Sequence, residues 1–147
     1  MQQYKTNSEE ETIALGRELA RALPHKCVVL LIGNLGAGKT ALAKGILSGL
    51  GATEPDEVTS PTFTLIHEYG DGSAYHIDLY RLDTAAEVRR LGLEELFDRD
   101  AVVLIEWGER FPELLPRERI EVQIRPAGDD QRLLEVREIG GADQSRT

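Results

Sequence analysis

The stretch "GNLGAGKTAL", residues 33–42, places three glycines and one lysine between an apolar run and a helix-like run. It opens with G-x-x-x-x-G-K-T, which is the P-loop pattern. Glycines let the backbone curl so that successive N–H groups point at one anion, and the helix that starts here directs the positive end of its dipole to the same place. The stretch therefore predicts a phosphate cradle between a strand and a helix.

The flanks of this stretch support that prediction. Residues 27–32, "CVVLLI", form the short, wholly apolar, β-branched run that is typical of a strand buried on both faces. Residues 40–51 have the pattern of a helix that Gly49 and Gly51 end. The alternative is a glycine-rich turn that merely joins a strand to a helix, and it leaves the match at every fixed position of the pattern unexplained.

The expected nucleotide contacts follow from the chemistry of such a cradle. Lys39 is expected to bridge the β- and γ-phosphate oxygens, and Thr40 to place its hydroxyl on Mg²⁺. Ala37 keeps the loop small, which agrees with close approach to phosphate. The residues predicted to bind the nucleotide here are Gly33, Asn34, Leu35, Gly36, Ala37, Gly38, Lys39, Thr40 and Ala41.

The rest of the chain alternates between helix-like segments and apolar strands, with two hairpins. Capping-box patterns begin two of the helices, at Ser8 and at Thr84. The alternation predicts an α/β sandwich of the P-loop NTPase type, whose central parallel sheet is extended by antiparallel strands. One domain is expected over residues 1–139, and residues 140–147 are expected to be a frayed tail. The predicted helices cover residues 7–23, 40–51 and 84–96, the buried strands 27–32 and 101–107, and the hairpins 60–82 and 119–139.

Composition narrows the classes of partner and compartment. The chain has 17 Lys and Arg against 26 Asp and Glu, a net charge of −9, and such a surface repels nucleic acid at long range. Cys27 is the single cysteine, which suits a reducing cytosol. The acidic N-terminus lacks the layout of a signal peptide, and no apolar run approaches the roughly 20 residues that span a bilayer. We therefore expect a cytoplasmic location, no membrane contact and no unaided, non-specific binding to nucleic acid, with a local basic patch as the alternative.

Two acids stand where a P-loop site needs carboxylates. Glu106 ends the second buried strand, where P-loop proteins place a Mg²⁺ ligand, and the alternative is a solvated strand-end acid. Asp78 shares one strand face with His76 and Tyr80, and it is expected to orient an attacking or metal-bound water. A surface acid paired with Arg81 or a lysine is the alternative for Asp78. His76 is interpreted as a structural histidine.

Three further residues have weaker signals. Thr62, in "SPTFTL", is either a switch residue that senses the γ-phosphate and its Mg²⁺ or a hydroxyl that caps a strand start. Trp107, the single tryptophan, is interpreted as a packing residue, and Cys27 as buried and inert. No arginine can be assigned as an arginine finger, a group worth ~10³ to 10⁵ in rate, so slow hydrolysis is expected.

Five motifs occur in an order that resembles the bacterial TsaE (YjeE) family over residues 8–132. The motifs are "GNLGAGKT", "SPTFTLIHEY", "YHIDLYRL", "LGLEELF" and "LIEWGE". The resemblance implies a small ATPase required for N6-threonylcarbamoyladenosine next to the anticodon of tRNA. It implies action with the TsaD transferase and its companion TsaB, so that tRNA is reached only through these partners.

The same resemblance implies roles for individual residues. Lys39 and residues 33–40 resemble the ATP site, and Thr40 and Glu106 the Mg²⁺ ligands. Asp78 resembles the catalytically important aspartate. Further matches are the switch threonine Thr62, the tryptophan Trp107 after the metal-binding glutamate, and Ser8, Thr12 and Arg132 in segments that border the nucleotide base.

One position departs from the family pattern. Asn34 stands where the family commonly has aspartate, which removes one negative charge from the loop. No loss of phosphate binding is expected from this change.

Two other functions fit a P-loop of this size. A small-molecule phosphotransferase usually closes an arginine-rich lid over the phosphates, and no such insertion is evident. A non-catalytic, nucleotide-gated module would keep its biological activity after Asp78→Ala abolished hydrolysis. A GTPase is disfavoured because no guanine-reading N-K-x-D motif occurs.

Overall fold

The fold is built on one seven-stranded sheet. The structure, a computed structural model, describes residues 2–34, 37–54, 57–58 and 65–140. The strands are β1 Gln2–Thr6, β2 Cys27–Ile32, β3 Ile66–Tyr69, β4 Ala74–Asp78, β5 Val102–Glu106, β6 Arg119–Pro126 and β7 Arg132–Ile139. The α-helices are α1 Glu9–Arg21, α2 Lys39–Gly49, α3 Ala85–Arg89 and α4 Leu93–Phe97. None of the helices in the described segments is both long and apolar enough to cross a bilayer.

The sheet has a parallel centre with antiparallel sides, in the order β1-β7-β6-β2-β5-β4-β3. Strands β6, β2, β5 and β4 run parallel to one another, whereas β1, β7 and β3 pair antiparallel. Strands β2 and β5 lie in the middle, with the inner four residues of β2 and all five of β5 buried, which explains the apolar runs in their sequences. The predicted α/β fold with a mixed sheet is confirmed.

Two local predictions are wrong and one element was missed. Residues 84–96 form two short helices instead of one, because Gly92 takes a left-handed backbone with φ +71° between them. At α1, the Ser8 side chain accepts from the Glu11 N–H, as a capping box requires. The Glu11 carboxylate, however, accepts from the N–H of Asn7 and not from that of Ser8, so the second half of the predicted capping box is displaced by one residue. Strand β1 was not predicted. The capping box at Thr84 is confirmed.

Each face of the sheet carries its own layer of core residues. On one face, alternate residues of the central strands pack with α1 and α2, and on the other they pack with α3 and α4. The first layer includes Val29, Leu31, Ala74, Val102, Leu104, Leu42 and Ile46. Because side chains alternate along a strand, the next residues on the same face, beyond this layer, are Gly33, Asp78 and Glu106 at the carboxyl ends of the strands. The polar residues therefore lie at the edge of the face that α2 covers.

Three glycines set the close packing of α1 on α2. A methyl group on Gly16 would lie 2.7 Å from the Leu42 carbonyl oxygen, and one on Gly49 would lie 2.8 Å from the Ala20 Cβ. A methyl group on Gly45 would overlap the Ile13 carbonyl oxygen. The helix that begins at the phosphate-loop lysine is therefore held against α1 by a backbone-to-backbone contact.

We predict that Gly45→Ala destabilises the protein although alanine is the better helix former. The helices must separate to admit the methyl group, and overpacking of this kind costs about 1–3 kcal/mol. Urea unfolding measures the loss. Glu18→Ala, on the exposed side of α1, is the control and should stay within about 0.5 kcal/mol of wild type. Equal stabilities for the two variants would contradict the packing described here.

Candidate active site

The carboxyl ends of the parallel strands bring the predicted polar residues together. Glu106 pairs in register with Leu31 of β2 on one side and with Asp78 of β4 on the other. Strand β2 leads into the glycine-rich loop, and α2 begins at Lys39. Asp78, Glu106 and Lys39 are all buried, with 3%, 4% and 5% of their surface exposed. A crevice at the carboxyl ends of parallel strands is the usual ligand site of open α/β sheets.

Some of the predicted residues fall outside the described segments. Leu35, Gly36 and the proposed switch residue Thr62 belong to this group. The other loop residues are described: Ala37 donates from its N–H to the Asn34 carbonyl oxygen at 3.0 Å.

The Lys39 side chain has an unusual environment. Its Nζ is buried and has no hydrogen-bond partner among the residues that the structure describes. The ammonium lies 3.7 Å from the centroid of the Trp107 ring, within cation–π distance. Burial lowers the pKa of Lys39, and the charges of Glu106, Glu109 and Asp78 oppose that shift. The ammonium is thus held in place with its donors still available to an incoming acceptor.

The start of α2 also leaves donors available. Gly38 is the N-cap residue, its backbone is left-handed with φ +105°, and no side chain caps the helix. The first N–H groups of a helix have no intrahelical partner, and they attract anions together with the helix dipole. The arrangement fits an anionic ligand with several oxygen acceptors, as a nucleotide phosphate tail has.

Arg132 fastens the C-terminal hairpin to this loop. Its Nε donates to the Ala37 carbonyl oxygen at 2.8 Å, and its Nη1 donates to carbonyl oxygens of its own turn. Across the sheet Arg132 pairs with Thr6, whose hydroxyl lies 2.7 Å from that of Thr12. The Thr12 hydroxyl also donates to the Ser8 carbonyl oxygen at 3.2 Å. Ser8 and Thr12 are therefore linked through Thr6 to Arg132, which contacts the loop. The contact of Arg132 with the loop backbone was not predicted from the sequence.

The two carboxylates at the strand ends are each fixed by a hydrogen bond. Glu106 Oε2 lies 2.6 Å from Nε2 of His76, a ring with 0% exposure. Asp78 Oδ1 accepts from the Tyr80 N–H at 2.8 Å. Within the described ranges, no group of three or more His, Cys, Asp or Glu side chains could hold a metal ion. A Mg²⁺ ion at Glu106 would thus need further oxygens, such as the Thr40 hydroxyl and phosphate oxygens.

The comparison with known proteins agrees with this geometry. A family model described as "Threonylcarbamoyl adenosine biosynthesis protein TsaE" matches residues 6–134. The chain belongs to the TsaE family. The match spans the glycine-rich loop, both strand-end acids and Arg132.

Individual relatives of this TsaE-family chain are similar along most of their length. The Bacillus subtilis (strain 168) protein named tRNA threonylcarbamoyladenosine biosynthesis protein TsaE is 42% identical over 139 residues, which are 93% of this chain and 85% of the relative. The Treponema pallidum (strain Nichols) protein of the same name is 39% identical over 132 residues, 89% of this chain and 96% of the relative. The crystal structure of Bacillus subtilis YdiB has a TM-score of 0.76 at 36% identity and covers 99% of this chain and 89% of that one.

Trp107 combines packing with a contact to the site lysine. It packs against the core layer under α3 and α4, as its interpretation as a packing residue expects. Its backbone is left-handed with φ +66°, which is rare for a bulky residue. One face of its ring meets the Lys39 ammonium, and the Tyr80 ring lies 5.1 Å away at 50°. The strained turn after β5 therefore aims the indole at the lysine.

Glu109 is a site residue that the sequence patterns did not reveal. It lies in the 3-10 helix Gly108–Arg110, and its Oε1 is buried without a hydrogen-bond partner in the described part of the chain. Burial raises the pKa of Glu109, and hydrogen bonding to its own backbone and the charge of Lys39 oppose the shift. No local pattern marks it, because an acid one turn past a strand is usually solvated.

We predict that Glu109→Gln stabilises this TsaE-family protein at neutral pH. Burial raises the pKa of Glu109 in the folded state above its value of about 4.3 in the unfolded chain. The protonated carboxyl group therefore favours folding. This contribution to stability is lost as the pH rises from the unfolded pKa through the folded pKa. The gain of the variant over wild type should be smallest at about pH 4 and grow toward about pH 7. Urea unfolding across this range measures it.

Glu113→Gln is the matched control, since Glu113 is exposed in the next 3-10 helix, Pro112–Leu114. Its difference from wild type should stay flat with pH. A flat difference for Glu109→Gln would contradict the burial of a charged carboxylate beside Lys39.

Proposed function

We propose that this chain binds and hydrolyses ATP with Mg²⁺ in the biosynthesis of threonylcarbamoyladenosine on tRNA. The observation that carries the proposal is the buried Lys39 ammonium, whose donors have no described partner, at the start of a helix that follows a glycine-rich loop. The pathway is supported by the family, whose members named above are tRNA threonylcarbamoyladenosine biosynthesis proteins.

The chain would bind the phosphates with its backbone and one cation. Loop and first-turn N–H groups would donate to phosphate oxygens, and Lys39 would exchange its contact with the Trp107 face for the β- and γ-phosphate oxygens. Thr40 and Glu106 would hold Mg²⁺. When bound, Mg²⁺ neutralises charge that develops on the phosphate oxygens. Arg132 would keep the loop closed through the Ala37 carbonyl oxygen.

Asp78 would orient the attacking water. Its carboxylate is buried next to Glu106 in the sheet register, and the Tyr80 N–H fixes one of its oxygens. A fixed, buried carboxylate can accept a hydrogen bond from water and take up its proton. Thr62 is proposed as the switch residue that reports the γ-phosphate. No residue is assigned as an arginine finger, so we expect slow turnover by the protein alone.

Faster turnover is expected with partner proteins. We propose that TsaD-like and TsaB-like proteins dock on the nucleotide-bound form, and that hydrolysis releases them. The chain would contact tRNA only through these partners, which agrees with its net charge of −9.

We predict that Asp78→Asn lowers ATP hydrolysis at least about 100-fold and changes ATP affinity by less than about threefold. Asparagine keeps an oxygen that can accept from the Tyr80 N–H, but it loses the charge and has an NH2 group in place of the second oxygen. Phosphate release by the protein alone and with its two partners measures turnover, and Lys39→Ala, which should lose affinity instead, is the comparison.

The result also separates the alternatives. Hydrolysis that is unchanged in Asp78→Asn would contradict the role of Asp78. Turnover that requires an added phosphate acceptor would favour a phosphotransferase. Full biological activity of an Asp78→Asn protein that no longer hydrolyses ATP would favour a nucleotide-gated module.

We also predict that ATP changes the fluorescence of Trp107, the single tryptophan. The ammonium lies 3.7 Å from the ring centroid and would leave it for phosphate oxygens. The emission of wild type should therefore change as ATP is added, and that of Lys39→Met should not. No change at ATP concentrations that saturate wild type in calorimetry would contradict the movement of Lys39.

A further inference from the structure

His76 makes a specific contact that a structural histidine does not require. Its Nε2 lies 2.6 Å from Glu106 Oε2, and the two groups are 0% and 5% exposed in their side chains. His76 pairs with Leu104 in the register of β4 and β5, and Asp78 pairs with Glu106. The imidazole therefore lies on the same face as both site carboxylates, one step deeper in the sheet.

The two nitrogens of the His76 ring have different surroundings. A carboxylate that binds metal is ionised and only accepts hydrogen bonds, so with Glu106 in that role Nε2 of His76 is the donor in this contact. Nδ1 is buried and has no hydrogen-bond partner among the described residues. Buried polar atoms are nearly always hydrogen-bonded in native proteins, because an unpaired one destabilises the fold. If His76 served packing alone, an apolar side chain would fill the same space without that loss of stability. Within the described segments, the one polar contact of the ring is with the carboxylate proposed as the metal ligand.

We propose that His76 is a positioning residue: it holds Glu106 Oε2 and leaves the other oxygen of that carboxylate to bind magnesium. The inference rests on the proposed function. A glutamate side chain has three rotatable bonds, and fixing one oxygen removes most of that freedom before the metal arrives. Partners of this kind typically change metal affinity 10–100-fold.

The experiment measures the binding of a non-hydrolysable ATP analogue by calorimetry, first in EDTA and then at increasing free Mg²⁺. His76→Leu removes the donor at similar volume, whereas His76→Gln keeps an N–H donor. Ile77→Val is a control in the neighbouring buried position, whose side chain packs on the opposite face of the sheet. Glu106→Gln and the double variant with His76→Leu complete the set.

We expect His76→Leu to raise about tenfold or more the free Mg²⁺ concentration at which half of the Mg²⁺-dependent gain in analogue affinity is reached. The affinity for the analogue in EDTA should stay within about twofold of wild type. His76→Gln should recover most of the loss, and Ile77→Val should match wild type. His76→Leu should add nothing to Glu106→Gln, because the two act on one ligand. If His76→Leu is too unstable to purify, His76→Gln must still show a Mg²⁺ dependence within about threefold of wild type, and a dependence about tenfold weaker would overturn the inference.

Other results separate the inference from the proposed function. If Glu106→Gln shifts the Mg²⁺ dependence and His76→Leu does not, only the role of His76 is wrong. If Glu106→Gln has no effect, the assignment of Glu106 as a metal ligand is wrong and the role of His76 fails with it. Equal losses in EDTA and in Mg²⁺ would mark His76 as purely structural and would also overturn the inference.

Discussion

The site depends on one buried charge, the ammonium of Lys39. Removing an ammonium from water is costly unless other groups replace the lost solvation. Here the Trp107 ring and the charges of Glu106, Glu109 and Asp78 provide part of that replacement, and no described residue accepts a hydrogen bond from the ammonium. Burial lowers the pKa of Lys39 although the three nearby carboxylates oppose that shift.

The rest of the fold keeps this charge where a ligand can reach it. The glycines of α1 and α2 bring the two helix backbones together, which fixes α2 against α1. The parallel strands place Asp78 and Glu106 side by side at one edge. Arg132, the first residue of β7, holds the loop by the Ala37 carbonyl oxygen. Each of these contacts joins segments that are distant in the sequence.

The features that could be predicted from the sequence are those that local chemistry determines. Strands β2 and β5 have apolar sequences because both of their faces are covered. The spacing of the glycines, the lysine and the threonine in the loop is specific to phosphate-binding loops. Strand β1, "QQYKT", has no such signal, since an edge strand is specified by its pairing with β7. The helix break at Gly92 was missed because a glycine within a helical pattern is often tolerated.

The side-chain contacts within the site could not be predicted, because they too depend on how distant segments pair. The contacts between Lys39 and Trp107 and between His76 and Glu106 depend on strand register and on the left-handed turn at Trp107. Sequence patterns place these residues near strand ends but do not say which atoms meet. The sequence therefore indicates neither the partner of His76 nor the burial of Glu109.

Binding of ATP, ADP, AMP and adenosine to wild type, compared by calorimetry with Mg²⁺ present, tests the central claim most directly. If the Lys39 ammonium and the loop N–H groups recognise a phosphate tail, affinity should fall steeply from ATP and ADP to AMP and be lost for adenosine. Equal affinity for all four would mean that the base and ribose carry the binding, and it would contradict the account.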